Sequence, residues 1–96
     1  MMSMAQDPRG PSNIEPEVFE ALWRLYQRGE TDLLDGGVPT PRLARELGRT
    51  RKTVFGVLQR LEAQGVVTQV HGAAPDNYRA RLSWAPVALL DGGAQR

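Results

Sequence analysis

Residues 40–65, TPRLARELGRTRKTVFGVLQRLEAQG, carry two hydrophobic patterns of helical period separated by one glycine-bearing break. Leu43, Ala44 and Leu47 form the first apolar stripe, and Val54, Val57, Leu58 and Leu61 recur at i, i+3, i+4 and i+7 to form the second. Two short amphipathic helices so close in the chain can each bury only one side, largely against the other. The punctuation agrees with this division. Thr40 is expected to cap the first helix with Pro41 at its first helical position, Gly48 to stop it in a left-handed conformation, and Thr50 to cap the second helix.

With residues 54, 57, 58 and 61 turned inward, the outward side of the second helix consists of Arg51, Lys52, Phe55, Gly56, Gln59 and Arg60, with Thr53 at the border. Arg and Lys can donate to guanine or to phosphate, Gln can pair with adenine, and Thr or Phe can touch a thymine methyl. A solvated charged face is the bland alternative. Against it stands the crowding of positive charge into the first helical turn, where it opposes the macrodipole at about 0.3 kcal/mol or more. Solubility does not require that placement, whereas a helix whose N-terminal turn meets base edges does. The pair is the outline of a DNA-reading helix-turn-helix. Phe55 keeps a second reading, packing against a neighbouring hairpin or a partner.

The whole-chain charge of +1 conceals this asymmetry. Residues 1–39 hold three basic against seven acidic side chains, while residues 40–64 hold six basic against two acidic. One sub-element is basic and the rest is not, as expected when a single face approaches phosphates.

At 96 residues the chain is one domain with a modest core. It has no cysteine, which excludes disulfides, thiol nucleophiles and cysteine-ligated metal. His71, the only histidine, has no second His or Cys with which to share an ion, so no metal site or cofactor is expected. Gly36-Gly37 lacks the following GK[ST] of a phosphate loop, and Asp76 with Asn77 reads as a turn rather than an acid-base pair. An enzyme is not expected. The N-terminal MMSMAQDPRG has no basic stretch leading into an apolar one, so the expected location is cytoplasmic, without membrane attachment.

Along the chain, residues 1–13 lack periodicity and are expected to be a disordered arm. A first helix starts at Glu15-Pro16 with Val18, Phe19, Leu22, Leu25 and Tyr26 on one side, Trp23 at its edge and Gly29 at its end. The connector ETDLLDGGVP (30–39) is expected to tuck Leu33 and Leu34 against the core and to use Val38 as a very short strand. After Gly65 the period becomes alternating. Val66–His71 reads as a strand, residues 72–77 as a loop, and Tyr78–Trp84 as a second strand with Tyr78, Ala80, Leu82 and Trp84 on one side and Arg79, Arg81 and Ser83 on the other.

Three helices followed by a two-stranded hairpin, with LARELGRTRKTVFGVLQRLEAQGVV at 43–67, resemble winged helix-turn-helix regulators of bacteria and archaea, of the multiple-antibiotic-resistance-regulator type and the N-terminal domain of the LexA repressor. The resemblance covers residues 14–84. It implies an α+β, mainly α fold: a three-helix winged helix-turn-helix with a two-stranded β wing over residues 14–85. Residues 86–96 would then form a short C-terminal segment available for dimerisation. It further implies that Thr50–Thr53, Phe55, Gly56 and Gln59 enter the major groove on a recognition helix spanning 50–64, while the wing approaches flanking phosphates. The chain departs from the family pattern in Arg49, which stands where an apolar residue usually packs the turn, and in the loop at 72–77, which has Asp76 but no Lys or Arg. Arg79, Arg81 and His71 remain as wing-side candidates.

The expected DNA-binding set is thus Thr40, Arg42, Thr50, Arg51, Lys52, Thr53, Phe55, Gly56, Gln59, Arg60, Arg79 and Arg81. The expected function is sequence-specific binding of double-stranded DNA by a homodimeric prokaryotic transcriptional regulator, with no small-molecule effector identifiable. The competing expectation is a winged helix used for protein-protein assembly in a replication, repair or degradation complex. Steep salt dependence marks the first and not the second.

Overall fold

The computed structural model describes residues 14–94, with side chains for residues 14–90. The arm expected at 1–13 lies outside the described residues. Helix α1 (Glu15–Gln27) has Pro at its start and Glu15 and Glu17 in its first turn, where a fixed φ and negative charge both favour helix. It buries Val18, Ala21, Leu22 and Leu25. Helix α2 (Thr40–Leu47) buries Leu43 and Ala44 and ends at Gly48, whose φ of 66° is the left-handed conformation expected there. Helix α3 (Arg51–Ala63) is capped by Thr50, whose Oγ1 accepts the Thr53 N–H at 3.2 Å, and it buries Val54, Val57, Leu58 and Leu61.

The cap expected of Thr40 is not made. Pro39 occupies the N-cap position without a side-chain bond, and Thr40 lies inside the first turn. Its Oγ1 instead accepts the indole N–H of Trp84 at 2.9 Å. A buried indole donor must find a partner, and it has taken the hydroxyl that would have served the helix end.

The remainder is an antiparallel sheet of three strands rather than two, ordered β1 (Leu33–Leu34), β2 (Val67–Ala73), β3 (Ala80–Pro86). The short C-terminal segment expected at 86–96 forms a fourth helix, α4 (Val87–Ala94). The architecture is therefore a small α+β domain of four helices and a three-stranded antiparallel sheet. The hairpin runs two residues further than expected, pairing Val67 with Pro86 through Ala73 with Ala80, so its loop is 74–79 and not 72–77. In that loop Asn77 Oδ1 accepts the Arg79 N–H at 2.9 Å, the turn-shaping role expected of it. Val38 bridges Trp84 with hydrogen bonds of 2.8 and 2.9 Å, and so becomes the very short strand segment expected of it.

Leu33 and Leu34 do not tuck inward. They pair with Ala73 and Gly72 at the sheet edge and are 39% and 75% exposed. The connector is held instead by its polar residue. Asp32 is buried, and its carboxylate takes two hydrogen bonds from Arg81, both 2.7 Å, and one from Ser83 at 2.8 Å. Glycine makes this approach possible: a Cβ on Gly37 would stand 2.6 Å from atoms of both Ser83 and Val70, and one on Gly72 would stand 2.9 Å from the Cβ of Asp32. The hairpin alternates as expected, but both sides are covered at its base, Trp84 by the helices and Ser83 by the connector. Ala80, Leu82 and Tyr78 are exposed. One core unites all of this, with Val38, Val67 and Trp84 joining the apolar faces of α1, α2 and α3. Among the described residues no helix is long and apolar enough to cross a membrane.

Candidate nucleic-acid interface

Because Val54, Val57, Leu58 and Leu61 fix the rotation of α3, its other side must face away from the core, and Arg51, Lys52, Thr53, Phe55, Gln59 and Arg60 are all exposed. Gly56 is partly covered, and a Cβ placed on it would meet nothing within 4 Å. The helix has no acidic residue in its first turn to offset Arg51 and Lys52. Thr50 and Thr53 use their hydroxyls on each other at 3.0 Å, in addition to the cap.

Ion pairing divides the arginines into two groups. Arg24 pairs with Glu46, Arg28 with Glu30, Arg42 with Glu30 and Glu46, Arg49 with Glu17, Arg60 with Glu15, and Arg81 with Asp32. Among the described residues, Arg45, Arg51, Lys52 and Arg79 have no carboxylate within ion-pair range. The acid-rich first third of the chain thus folds onto the arginines that face it and leaves the start of α3 uncompensated. Exposed pairs of this kind add little stability, about 0–1 kcal/mol each, but they occupy guanidinium groups that a phosphate would otherwise contact.

Three of the expected contacts are placed differently by this pairing. Arg42 is bound on two sides, and the hydrogen bond it donates to Glu30 leads in holding its guanidinium charged. Arg60 is fixed to Glu15 at 2.7 Å and joins α3 to α1. Arg81 points at Asp32. Burial pushes the Asp32 carboxyl up, but the hydrogen bonds from Arg81 and Ser83, with the Arg81 charge, more than offset it and hold the group below its usual range. Arg81 is therefore a structural partner of the connector. Helical spacing marks Glu46 as a neighbour of Arg42 at i+4, but periodicity could not reveal Glu30, Glu15 or Asp32, which lie at least twelve positions from their arginines.

The revised hairpin loop takes in a different pair, Tyr78 and Arg79, at its β3 end, where the Arg79 carbonyl accepts the Ala74 N–H at 2.9 Å. Tyr78 adopts φ of 59°, a conformation that costs a bulky residue about 1 kcal/mol or more, and its ring is 75% exposed. Arg79 follows it. The expectation that the loop carries no basic residue is corrected by the two-residue shift in register. Arg45 is the cation that the sequence pattern left out, although it belongs to the basic segment. It lines a cleft of about 320 Å³ with Pro39, Pro41, Pro75, Arg42 and Arg81, to which no residue of α3 contributes. His71 is exposed, with Nδ1 3.9 Å from Asp35.

Phe55 meets the edge of Trp84, with ring centroids 6.0 Å apart and planes inclined at 68°. It packs on the hairpin and is still 41% exposed. Comparison of the chain with protein-family models, curated proteins and solved structures finds no match.

Proposed function

We propose that the chain is a winged helix-turn-helix protein that binds double-stranded DNA sequence-specifically, with α3 in the major groove, and acts as a transcriptional regulator by occupying its site. The observation that carries this reading is the pair of uncompensated cations, Arg51 and Lys52, on the first turn of α3. Six other basic side chains among the described residues have found carboxylates, and of the four that have not, these two are the ones that lie on α3. Helix rotation supports the same assignment, because Phe55, Gly56 and Gln59 continue the outward side along which base edges are read. Arg79 and Tyr78 at the β3 end of the hairpin loop supply the flanking contact in place of Arg81.

A homodimer follows from economy of recognition, since one helix contacts only a few base pairs. Trp23, half-buried and 5.7 Å from Phe19 on α1, and the half-buried Leu89 and Leu90 of α4 offer the apolar surface. A single monomeric species in sedimentation at tens of micromolar, where weak dimers populate, would overturn it.

The assembly-module reading is favoured by one observation, the exposed apolar Leu34 on the edge strand with Leu82 and Tyr78 of the hairpin and its loop. Salt separates the two. Selection of duplexes from a random pool, followed by titration at several salt concentrations, is expected to give a preferred site and an affinity that falls steeply with salt. The Arg51→Ala/Lys52→Ala variant is expected to lose that preference. Equal affinity of wild type and variant for every duplex would remove DNA recognition by α3 and favour assembly.

A further inference from the structure

Six large hydrophobic residues are exposed among the described residues, and Phe55 is the one that lies on α3. It occupies the middle of an otherwise polar side, one turn beyond Arg51 and Lys52 and one turn before Gln59. An aromatic ring in that position is poorly served by water. Its ring rests edge-on against Trp84, and Trp84 is anchored from three directions. The Trp84 indole N–H is bound by Thr40, its backbone exchanges two hydrogen bonds with Val38, and its ring is 2% exposed in the core.

Beside this ring the helix is bare. Glycine is the poorest helix former after proline, yet a Cβ at Gly56 would meet nothing within 4 Å among the described residues. No packing among those residues accounts for the glycine, so the space beside Phe55 suits a surface that arrives from outside. In a major groove the base edges are rows of donors and acceptors with one apolar exception, the methyl group on C5 of thymine or of 5-methylcytosine. A fixed aromatic ring would desolvate any of the polar groups without replacing their hydrogen bonds, whereas it gains contact with the methyl.

We infer that Phe55, held by the Trp84–Thr40 platform, is a specificity-determining residue that reads a pyrimidine 5-methyl group in the bound duplex. This inference rests on the DNA-binding reading above and adds to it the identity of one recognised group.

The test uses the full chain and the duplex it prefers from a random pool. Each thymine is replaced in turn by uracil and each cytosine by 5-methylcytosine, and affinity is measured by fluorescence anisotropy for wild type, Phe55→Ala and Phe55→Leu. Removal of the methyl at one position is expected to weaken wild type about four-fold, the equivalent of ~0.8 kcal/mol for one buried carbon. A dependence on uracil identifies thymine as the source, and a gain with 5-methylcytosine identifies the modified base. Phe55→Ala is expected to bind both forms of that duplex alike, and Phe55→Leu, which keeps apolar bulk on the Trp84 edge, to retain part of the difference. Wild-type indifference to every substitution would overturn the inference while leaving DNA binding intact, as would a methyl dependence that survives undiminished in Phe55→Ala. Failure to select or bind any duplex would instead overturn the DNA-binding reading, and this inference with it.

Discussion

Replacing Arg81 by alanine should damage the fold, and should leave duplex binding intact wherever the protein remains folded. Both charged hydrogen bonds that Arg81 gives to Asp32 would be lost, and the Asp32 carboxylate, 3% exposed, would keep only the Ser83 hydroxyl. Removing one partner of a fully buried pair costs about 3–5 kcal/mol. Arg81 is itself 39% exposed, so water can partly replace it, and the expected loss is about 2–3 kcal/mol. For a domain of this size that lowers the melting temperature by roughly 10–20 °C. Urea unfolding followed by tryptophan fluorescence measures it directly, because Trp84 lies on the same strand as Arg81. The pH dependence supplies a second check. In wild type the folded Asp32 carboxyl titrates below its unfolded value, so its contribution is present above the ordinary carboxylate range and is lost as pH falls through the lowered folded value. Without Arg81, only the Ser83 hydrogen bond opposes the effect of burial on Asp32, and the balance moves toward the protonated form. The gap between wild type and variant should therefore be widest at neutral pH and narrow as the medium is acidified. A stability loss below about 0.5 kcal/mol, or a gap that widens in acid, would refute the reasoning.

Three other substitutions probe separate joints of the structure. Gly37→Ala places a methyl group 2.6 Å from Ser83 and Val70 and 2.8 Å from the Trp84 backbone nitrogen, and should cost about 1–3 kcal/mol in urea unfolding. Thr40→Val leaves the Trp84 indole N–H buried without an acceptor and should cost about 1–3 kcal/mol, whereas Thr40→Ser should stay close to wild type. Gly56→Ala should raise stability by up to about 1 kcal/mol, since the new methyl meets nothing. Gly56→Leu should keep thermal stability but weaken duplex affinity about ten-fold, or ~1.4 kcal/mol. Unfolding of either Gly56 variant would mean that the glycine serves packing within the chain.

The first three helices were legible in the sequence because each carries its own evidence. Val54, Val57, Leu58 and Leu61 determine the rotation of α3 by spacing alone, and Gly48 and Thr50 mark its approach with residues suited to their backbone conformations. The connector was not legible for the opposite reason. Leu33 and Leu34 read as core because they are apolar, yet the neighbouring Asp32 is the residue that is buried, its cost offset by an arginine 49 positions later. The same non-locality explains Arg42, Arg60 and Arg81. Outward direction is visible in a sequence, but the acidic group waiting opposite is not. The misplaced hairpin loop has a different origin: Gly72 suggested a turn, whereas it is glycine so that the connector can cross against the strand.

The placement of Trp84 also bears on how the chain is made. This tryptophan is part of the core of all three preceding helices, yet it is translated after every one of them, and its tethers reach back to Val38 and Thr40. Contacts of such separation form late, because the closure of a long loop must be overcome before they contribute. At about 5–20 residues per second, the helices leave the ribosome on the order of seconds before β3 is complete. Through that interval their apolar faces lack a covering strand. Nascent chains arrested before residue 80 are expected to remain protease-sensitive, and those extended past α4 to become resistant in a single step.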